Sequence, residues 1–253
     1  AGLDFIKDDE ISADPVHAPL AQRVPAVMAG VGRHQDRTGK AGMVAFNITA
    51  ETDQMRRHAE LVEREGGSCV MVSLNWCGFS AVETLRRSTS LALHGHRNGF
   101  GALSRHPLLG IGFQAYQTLW RLAGVDHMHV HGLQGKFAQE DEEVVASARD
   151  CVTPLADGID DRVLPPFSSG HWAATAQPTD RDKVARFHAA TGGGTPLLIG
   201  AGLTEANAAE QLAKADGAVV GSWFKHDHKD TGRVEPAHVA GLMRVVRAIR
   251  SDA

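Results

Sequence analysis

The feature that most constrains this chain is a regular alternation of short apolar runs with longer segments of helical pattern. Eight apolar runs are candidate strands: GLDFIK, GMVAFNI, SCVMVSL, LALHGH, HMHVHGL, VLPPFSS, TPLLIGAG and GAVVGSW. The helical segments between them, such as TAETDQMRRHAELVEREGG, begin with a Thr as candidate cap and end at glycine. Strand–helix units repeated in this way predict an α/β fold with parallel strands, and eight units predict a single (β/α)8 TIM barrel over residues 1–253. An open doubly wound sheet is the alternative architecture.

The composition excludes several classes of protein. The 253 residues are 43% hydrophobic and 22% charged, with a net charge of −4 and no basic stripe, so no nucleic-acid partner is expected. No apolar run approaches the length of a membrane span and no signal-peptide pattern begins the chain, so we expect a cytoplasmic protein without a membrane partner. Cys69, Cys77 and Cys151 form no CxxC pair, which favours buried, reduced thiols over a disulfide framework.

Active sites of (β/α)8 barrels lie at the carboxyl ends of the strands, so the residues after each apolar run are the most informative. The first run ends in Lys7, Asp8, Asp9 and Glu10. A divalent cation would relieve the repulsion between such carboxylates, and Mg²⁺ prefers oxygen ligands of this kind. A lysine is a poor ligand unless its charge is removed. A solvated acidic turn is the alternative interpretation.

Histidines cluster in the fourth and fifth runs. His94 and His96 alternate along one predicted strand, as do His127, His129 and His131 along the next, so each set shares one face. Three interpretations stay open at this point. The histidines bind zinc or another transition metal, they are buried and hydrogen-bonded, or they contact a bound substrate.

Two cationic side chains follow the histidines. Arg97 comes directly after His96, and a guanidinium can hold a phosphate or a carboxylate through two parallel hydrogen bonds. Lys136 lies in the glycine-flanked segment GLQGKF, where it could close over a substrate as a mobile cation. An ordinary surface lysine is the alternative for Lys136.

Small residues follow the last three runs, in FSSGH, IGAG and VGS. Their backbone N–H groups can approach a phosphate closely, and the last two loops of such barrels often build a phosphate site. The candidate residues are Ser168, Gly170, Gly200, Gly202, Gly221 and Ser222.

The motifs GLDFIKDDE, FNITAET, LALHGHRNGF, DHMHVHGLQGKF and VLPPFSSGH together resemble the RuBisCO large-subunit superfamily. The resemblance covers residues 1–171, begins at the second barrel strand of that family, and is nearer to RuBisCO-like proteins that do not fix CO2. It implies that Lys7 is carbamylated by CO2 and binds Mg²⁺ together with Asp9 and Glu10. The resemblance also implies that several residues contact the substrate. Lys136 matches a catalytic lysine that lies on a mobile loop in that family. The other residues that the resemblance places against the substrate are His96, Arg97, His129, Ser168 and Gly170.

After His171 the sequence instead resembles the last quarter of a BtpA-type (β/α)8 barrel, through QPTD, GAGLTEANA and ADGAVVGSWFK over residues 172–253. We therefore predict a chimera of engineered origin, in which six RuBisCO-like strands and two BtpA-like strands close one barrel with rotated strand numbering; natural descent is the alternative. The N-terminal domain and first-strand lysine of the RuBisCO family are absent from this sequence. Lys225, predicted to end the eighth strand, is a candidate replacement base.

These features lead to three functional hypotheses. The first is Mg²⁺-dependent enolising chemistry of lyase or isomerase type on a sugar phosphate or sugar-acid phosphate, weak or lost, and not efficient carboxylation. The second is a recombined barrel scaffold without robust activity. The third is a transition-metal hydrolase that uses the histidines. A small phosphorylated substrate or a phosphate ion is the expected partner, and a monomer is the default.

Overall fold

The structure is a computed structural model. It describes residues 2–104, 106, 108, 110–132, 140–152, 168–174, 181–192, 196–200, 202–213 and 215–251. For residues 130–132, 150–152, 168–174 and 181 only the backbone is described. The chain divides into two compact units, a first unit of residues 2–129 with 154–168 and a second unit of residues 130–153 with 169–253.

All eight predicted strands are present. Their bounds are Phe5–Lys7 (β1), Met43–Asn47 (β2), Cys69–Ser73 (β3), Ala92–His96 (β4), His127–Gly132 (β5), Ser168–Ala174 (β6), Leu197–Ile199 (β7) and Gly217–Ala218 (β8). The described helices are Leu20–Thr38 (α1), Thr52–Arg64 (α2), Leu74–Cys77 (α3), Phe79–Ser88 (α4), Phe100–Ser104 (α5), Phe113–Leu122 (α6), Asp141–Val152 (α7), Arg181–Thr191 (α8), Ala208–Leu212 (α9) and Pro236–Ser251 (α10). The fold is α/β, as predicted.

In the first unit the strands pair in parallel and in sequence order, from β1 to the beginning of β5. The central strand β3 is buried along its whole length, and the burial of both its faces explains its uninterrupted apolar run. Ala45, Cys69 and Met71 form part of the core, with Phe5 and Ala92 packed against them. Register places His94 of β4 beside His127 of β5, so the two histidine sets meet on one face of the sheet.

The start of α2 differs from the sequence-based expectation. Thr49 does not cap the helix, because its hydroxyl donates to Asn47 Oδ1 at 2.6 Å and accepts from the Ser73 amide at 2.9 Å. Glu51 is the N-cap instead, and its carboxylate accepts from the amides of Asp53 and Gln54. A carboxylate in this place also interacts favourably with the helix dipole.

An aspartate closes the ladder at the amino end of a strand in each unit. Asp126 precedes β5, and its Oδ2 accepts from the Leu93 amide at 2.7 Å while its own amide donates to the Leu93 carbonyl at 3.1 Å. Asp216 precedes β8 and pairs in the same way with Leu197, at 2.7 and 2.9 Å. Each carboxylate thus satisfies a backbone amide at the end of the ladder.

In the second unit β6, β7 and β8 pair in parallel. The sixth strand begins at Ser168 and runs to Ala174, later than the predicted run VLPPFSS, of which residues 163–167 lie outside the described residues. The predicted helix TEANAAEQLAKADG is reduced to the five residues of α9. Closure of the chain into one barrel, and the rotated strand numbering, stay predictions.

Two of the three cysteines have described side chains, and both are free thiols. Burial raises the pKa of Cys69 to about 12 and that of Cys77 to about 11, so both are protonated at neutral pH. The prediction of a buried thiol is confirmed for Cys69, while Cys77 is half-buried. None of the helices in the described part of the chain combines the length and apolar character that crossing a bilayer requires.

Candidate active site

The three acids after β1 differ in how they are bonded. The Asp8 amide extends the ladder by donating to the Ala45 carbonyl at 3.1 Å. The Asp8 carboxylate oxygen Oδ2 accepts from the Asn47 amide at 3.0 Å and from Arg23 Nη2 at 3.0 Å. Asp8 therefore anchors the loop to β2 and α1.

Asn47, the last residue of β2, holds the backbone of the next two acids. Its side-chain Nδ2 donates to the Asp9 carbonyl at 3.0 Å and to the Glu10 carbonyl at 3.1 Å. Its Oδ1 accepts from the amide of Thr49 at 3.1 Å and from the Thr49 hydroxyl. The side chain is completely buried, so each of its polar groups needs a partner and each has one.

Arg23 of α1 fixes the rest of the loop. Its Nη1 donates to the Ala18 carbonyl at 2.6 Å, and its Nη2 donates to the carbonyls of Ser12 and Ala13 at 3.2 and 2.8 Å. With the Asp8 carboxylate, one guanidinium has four acceptors on the segment that joins β1 to α1. The side chain is only 15% exposed, which favours an ordered arrangement over a solvated one.

Lys7 lies at the end of β1 beside these acids. Burial lowers the pKa of its ammonium, and the charges of Glu10, Asp9 and Asp8 oppose that effect only in part. Its Nζ donates to the Asp8 carbonyl at 3.0 Å. Burial thus favours the neutral amine, which is the nucleophilic form of lysine.

Asp9 and Glu10 project carboxylates whose contacts are few. Asp9 is exposed, and its Oδ1 accepts from the Ile11 amide at 3.0 Å. Glu10 is half-buried, with its Oε2 3.6 Å from His96 Nε2. These hard oxygen donors, beside an amine that burial favours in its neutral form, fit the donor set that Mg²⁺ prefers.

His96 connects β4 with the loop after β1. Its Nδ1 accepts from the Asn98 amide at 3.2 Å, so the neutral ring carries its proton on Nε2, which faces Glu10. Burial lowers the pKa of His96, Glu10 raises it, and Lys7 lowers it further. At neutral pH the ring is therefore an uncharged hydrogen-bond donor that faces the Glu10 carboxylate.

The other histidines pack as a cluster of rings. His94 lies 4.5 Å from His127 and 4.6 Å from His129 between ring centroids, and Phe5 of β1 is 5.7 Å from His94. His94 is 2% exposed, and neither ring nitrogen has a hydrogen-bond partner among the described residues. Burial holds the pKa of both His94 and His129 well below the ordinary value, and neighbouring histidines and Lys7 add to the effect. The cluster is therefore uncharged at neutral pH.

The transition-metal interpretation finds no support in this cluster. In the described ranges no three His, Cys, Asp or Glu side chains converge as metal ligands. The rings pack at tilted and edge-on angles instead. Only the backbone of His131 is described, so its predicted place in this cluster stays a prediction.

Arg97, directly after β4, lies against two neighbouring aromatic rings. Its guanidinium carbon is 5.7 Å from the centroid of Phe113 and 6.0 Å from that of Phe100. Burial lowers the pKa of Arg97, while nearby Tyr116 raises it. Within the described residues no carboxylate forms an ion pair with this guanidinium, and contacts of this kind with aromatic rings are typical of arginine.

The predicted small residues belong mostly to the second unit. Ser168 and Gly170 lie in β6 itself, at its beginning, rather than after its carboxyl end. Gly200 follows β7, and Gly202 has a φ of 81°, a conformation that favours glycine. Gly221 and Ser222 begin a 3₁₀ turn, Ser222–Phe224.

Two predicted catalytic lysines have different outcomes. Lys136 lies outside the described residues, so its role stays a prediction. Lys225 does not end the eighth strand, which stops at Ala218. Its backbone forms an isolated bridge with Val234, and its ammonium donates to the Asp230 carbonyl. These local contacts give no support to Lys225 as a base.

A cleft of about 320 Å³ in the second unit contains none of the predicted residues. It lies between α7 and α8, and its charged groups pair with one another. Lys183 and Arg186 lie 2.9 and 3.0 Å from the carboxylate of Asp141. This cleft therefore adds no candidate to the site at the end of β1.

Comparison with known families matches two parts of the chain. The family model described as ribulose bisphosphate carboxylase large chain, catalytic domain, matches residues 1–179. The BtpA family model matches residues 132–248, so the two matches overlap over residues 132–179.

Among curated proteins, a 3-oxo-isoapionate-4-phosphate transcarboxylase/hydrolase of Xanthobacter autotrophicus is 49% identical over 177 residues, 70% of this chain and 43% of that protein. A 3-oxo-isoapionate-4-phosphate decarboxylase of Rhizobium etli is 42% identical over 180 residues, 71% of this chain and 43% of that protein. The chain thus spans less than half the length of these relatives. A crystal structure of a RuBisCO-like protein from Burkholderia fungorum has a TM-score of 0.70 and 48% identity, covering 99% of this chain and 54% of that one.

Proposed function

The chain belongs to the ribulose bisphosphate carboxylase large-chain family, and from that premise we propose that it performs Mg²⁺-dependent enolising chemistry of the RuBisCO-like type. One observation carries the proposal. Lys7, which burial keeps toward its neutral form, lies at the end of β1 with the carboxylates of Asp9 and Glu10, and His96 of β4 meets Glu10 at 3.6 Å. Enolisation requires a base for the proton beside the carbonyl and an electrophile at the carbonyl oxygen; the oxygen donors of Asp9 and Glu10 are suited to holding a metal ion in that role, and His96 can donate a proton there.

The substrate class that we propose is a phosphorylated sugar acid or sugar phosphate with a carbonyl group. Two relatives are named for 3-oxo-isoapionate-4-phosphate, a phosphorylated 3-oxo acid. Loss of CO2 from a 3-oxo acid leaves an enolate, so decarboxylation and proton exchange beside a carbonyl need the same stabilisation. Efficient carboxylation of a sugar bisphosphate is not part of the proposal.

Lys7, Asp9 and Glu10 would hold the magnesium ion, with Lys7 as its carbamate. In carbamate formation the neutral Nζ attacks the carbon of CO2, a C–N bond forms, and one proton leaves the nitrogen for solvent. The cationic side chain becomes an anionic oxygen donor. When bound, Mg²⁺ supplies Lewis-acid polarisation of the substrate carbonyl and stabilisation of the negative charge on its oxygen.

The remaining roles fall to side chains of the first unit. His96 holds a proton on Nε2, beside Glu10, where it can donate to a substrate oxygen. Arg97 offers a guanidinium, which lies against Phe100 and Phe113, to the phosphate or carboxylate of the substrate. Lys136 lies outside the described residues, and its catalytic role stays a prediction.

The origin of the chain is a second part of the proposal. We propose recombination between a RuBisCO-like barrel and a BtpA-type barrel, and the match of residues 132–248 to the BtpA family supports it. We place the boundary between the two parent sequences after His171. The two family matches overlap over residues 132–179, so neither match fixes this boundary. A monomer in the cytoplasm stays the expectation.

The proposal is tested by incubating the protein with Mg²⁺, bicarbonate and 3-oxo-isoapionate-4-phosphate in D2O. We expect CO2 release or deuterium uptake beside the carbonyl, followed by NMR, and loss of either signal when Mg²⁺ is removed with a chelator. Cooperative unfolding of a protein that gives neither signal would favour the scaffold alternative. Activity that follows added zinc rather than magnesium would overturn the proposed metal.

A further inference from the structure

We propose that Asn47 and Arg23 are positioning residues for the proposed metal site, and that Asp8 is the anchor through which they act. The inference rests on the proposed function, because it concerns how Asp9 and Glu10 are presented to a cation. We call residues 8–13 the acidic loop. In this geometry Asp8 holds the loop in place, while the carboxylates of Asp9 and Glu10 are left to bind a cation.

The assignment follows from the contacts of the three successive acids. The Asp8 carboxylate accepts from the Asn47 amide and from Arg23, both at 3.0 Å. Asp9 and Glu10 accept from Asn47 only through their backbone carbonyls, at 3.0 and 3.1 Å. Their carboxylates are therefore not used in holding the loop to β2. Immobilising the backbone while leaving the carboxylates to bind is how outer residues orient the ligands of a metal.

Asparagine is suited to this position for a specific chemical reason. Its NH2 group has two protons, and each reaches a different carbonyl of the acidic loop. Its oxygen accepts from the amide and the hydroxyl of Thr49, which fixes the orientation of the amide plane. Serine has one hydroxyl proton and a shorter side chain, so it cannot hold both carbonyls.

Arg23 restrains the far side of the same loop. Its guanidinium reaches the carbonyls of Ser12, Ala13 and Ala18 as well as the Asp8 carboxylate. Lysine keeps the charge but concentrates its donors on one atom, so it cannot span these acceptors. Arg23→Lys therefore separates the geometry of the guanidinium from its charge.

The chain offers a matched control in the same unit. Arg86 pairs with Asp126 at 3.1 Å, and Asp126 Oδ2 accepts from the Leu93 amide, so an arginine, an aspartate and a strand amide meet there too. This second group lies at the amino end of β5, away from the carboxyl ends where sites form. Asp126→Asn and Arg86→Lys alter the same chemistry without touching the acidic loop.

The experiment measures Mg²⁺ affinity by calorimetry in bicarbonate buffer, with thermal unfolding of each variant as a check on folding. We expect Asn47→Ser and Arg23→Lys to weaken Mg²⁺ binding by about 10–100-fold. Asp126→Asn and Arg86→Lys should lower the melting temperature while they change Mg²⁺ affinity by less than about twofold. Equal loss of affinity in both pairs of variants would overturn the inference, because a merely structural role would act in both places.

A second readout separates this inference from the proposed function. The amides of Ile11 and Ser12 donate to Asp9, and their hydrogen exchange reports the order of the acidic loop without any metal. Exchange at these amides should rise in Asn47→Ser and stay unchanged in Asp126→Asn. If the unaltered protein takes up no Mg²⁺, the proposed function fails, and unchanged exchange in Asn47→Ser would then overturn the positioning role as well.

Discussion

Two regions of the first unit are built from the same three parts and serve different ends. At the carboxyl end of β1, Arg23, Asp8 and the Asn47 amide meet, with both contacts to Asp8 at 3.0 Å. At the amino end of β5, Arg86 and Asp126 meet the amide of Leu93, at 3.1 and 2.7 Å.

The difference between the two regions lies in their neighbours. Beside Asp126 the nearby polar groups satisfy each other. Arg86 also donates to the Thr89 carbonyl, and the Thr89 hydroxyl donates to Glu63. Beside Asp8 stand a lysine with a lowered pKa and two carboxylates that do not hold the loop to β2. An arginine–aspartate pair is therefore not a sign of function, whereas an unsatisfied group that such a pair holds in place is one.

The largest expected effect comes from changing Lys7 at the carboxyl end of β1, with Lys40, which contacts residues before the amino end of β1, as the control. Lys7→Met removes the amine that we propose as a ligand, so Mg²⁺-dependent proton exchange should fall by about 1,000-fold. Lys40→Met removes a lysine that donates to the Gly2 carbonyl and pairs with Asp4, before the strand begins. Its exchange rate should match that of the unaltered protein. Similar losses in both variants would show that the comparison between the two ends is wrong.

Acid provides the second way to sharpen the comparison. The pKa values of His94 and His129 lie well below the ordinary 6.5, so the unfolded chain takes up protons first as the pH falls. The contribution of these two neutral histidines to the free energy of unfolding is fully present above pH 6.5 and is lost as the pH falls below it. The free energy of unfolding then decreases by about 1.4 kcal/mol per pH unit for each histidine. Urea unfolding between pH 7.5 and about 5 measures the slope.

A substitution assigns part of this slope. His94→Phe keeps an aromatic ring against Phe5 and His127 but cannot take up a proton in either state. The pH dependence of the free energy of unfolding should therefore become less steep by about 1.4 kcal/mol per pH unit, the contribution of one histidine. A slope identical to that of the unaltered protein would mean that other groups cause the acid sensitivity.

The two faces of β4 give the third expected effect. Gly95 lies between the histidines, and a Cβ placed there would be 2.9 Å from Leu74 Cδ1 and from Val125 Cγ1. Gly95→Ala should destabilise the protein by about 1–3 kcal/mol through overpacking. Gly42→Ala is the control, because its Cβ would meet no atom within 4 Å. Equal stability of both variants in urea would argue against a closely packed face.

The smallest effect is expected on the helices outside the sheet. Arg87 pairs with Glu83 across one turn of α4, and both side chains are well exposed. Glu83→Gln should change the free energy of unfolding by less than about 0.5 kcal/mol, because solvent screens such pairs. A loss as large as that of Gly95→Ala would show that surface charge matters more here than at the strand ends.

The periodicity of the sequence was sufficient to predict the strands and the position of the acidic loop. Eight apolar runs gave eight strands, although β6 extends beyond its run and β8 stops well before its run ends. The family resemblance selected Asp9 rather than Asp8 as a ligand, but composition and spacing alone could not separate them, since identical side chains differ only in which partners reach them. Asn47 was visible within the quoted motif FNITAET, but its two carbonyl partners lie far away in the chain.

Other differences have equally local causes. Glu51 displaced Thr49 as the cap of α2 because the Thr49 hydroxyl is already engaged by Asn47 and Ser73. Arg23 had no signal in the sequence, since an arginine inside a helix is usually a surface residue. Lys225 was placed by counting strands, and the real β8 ends before it.

The complete bonding of the Asn47 amide also makes it a reporter. Each proton of its NH2 group faces the carbonyl of a different residue of the acidic loop, so rotation of the amide should be slow and the two proton resonances well separated. Any movement of Asp9 or Glu10 on binding a cation changes one of these bonds directly. A single ¹⁵N-labelled asparagine side chain would then record occupancy of the site, with no substrate and no turnover required.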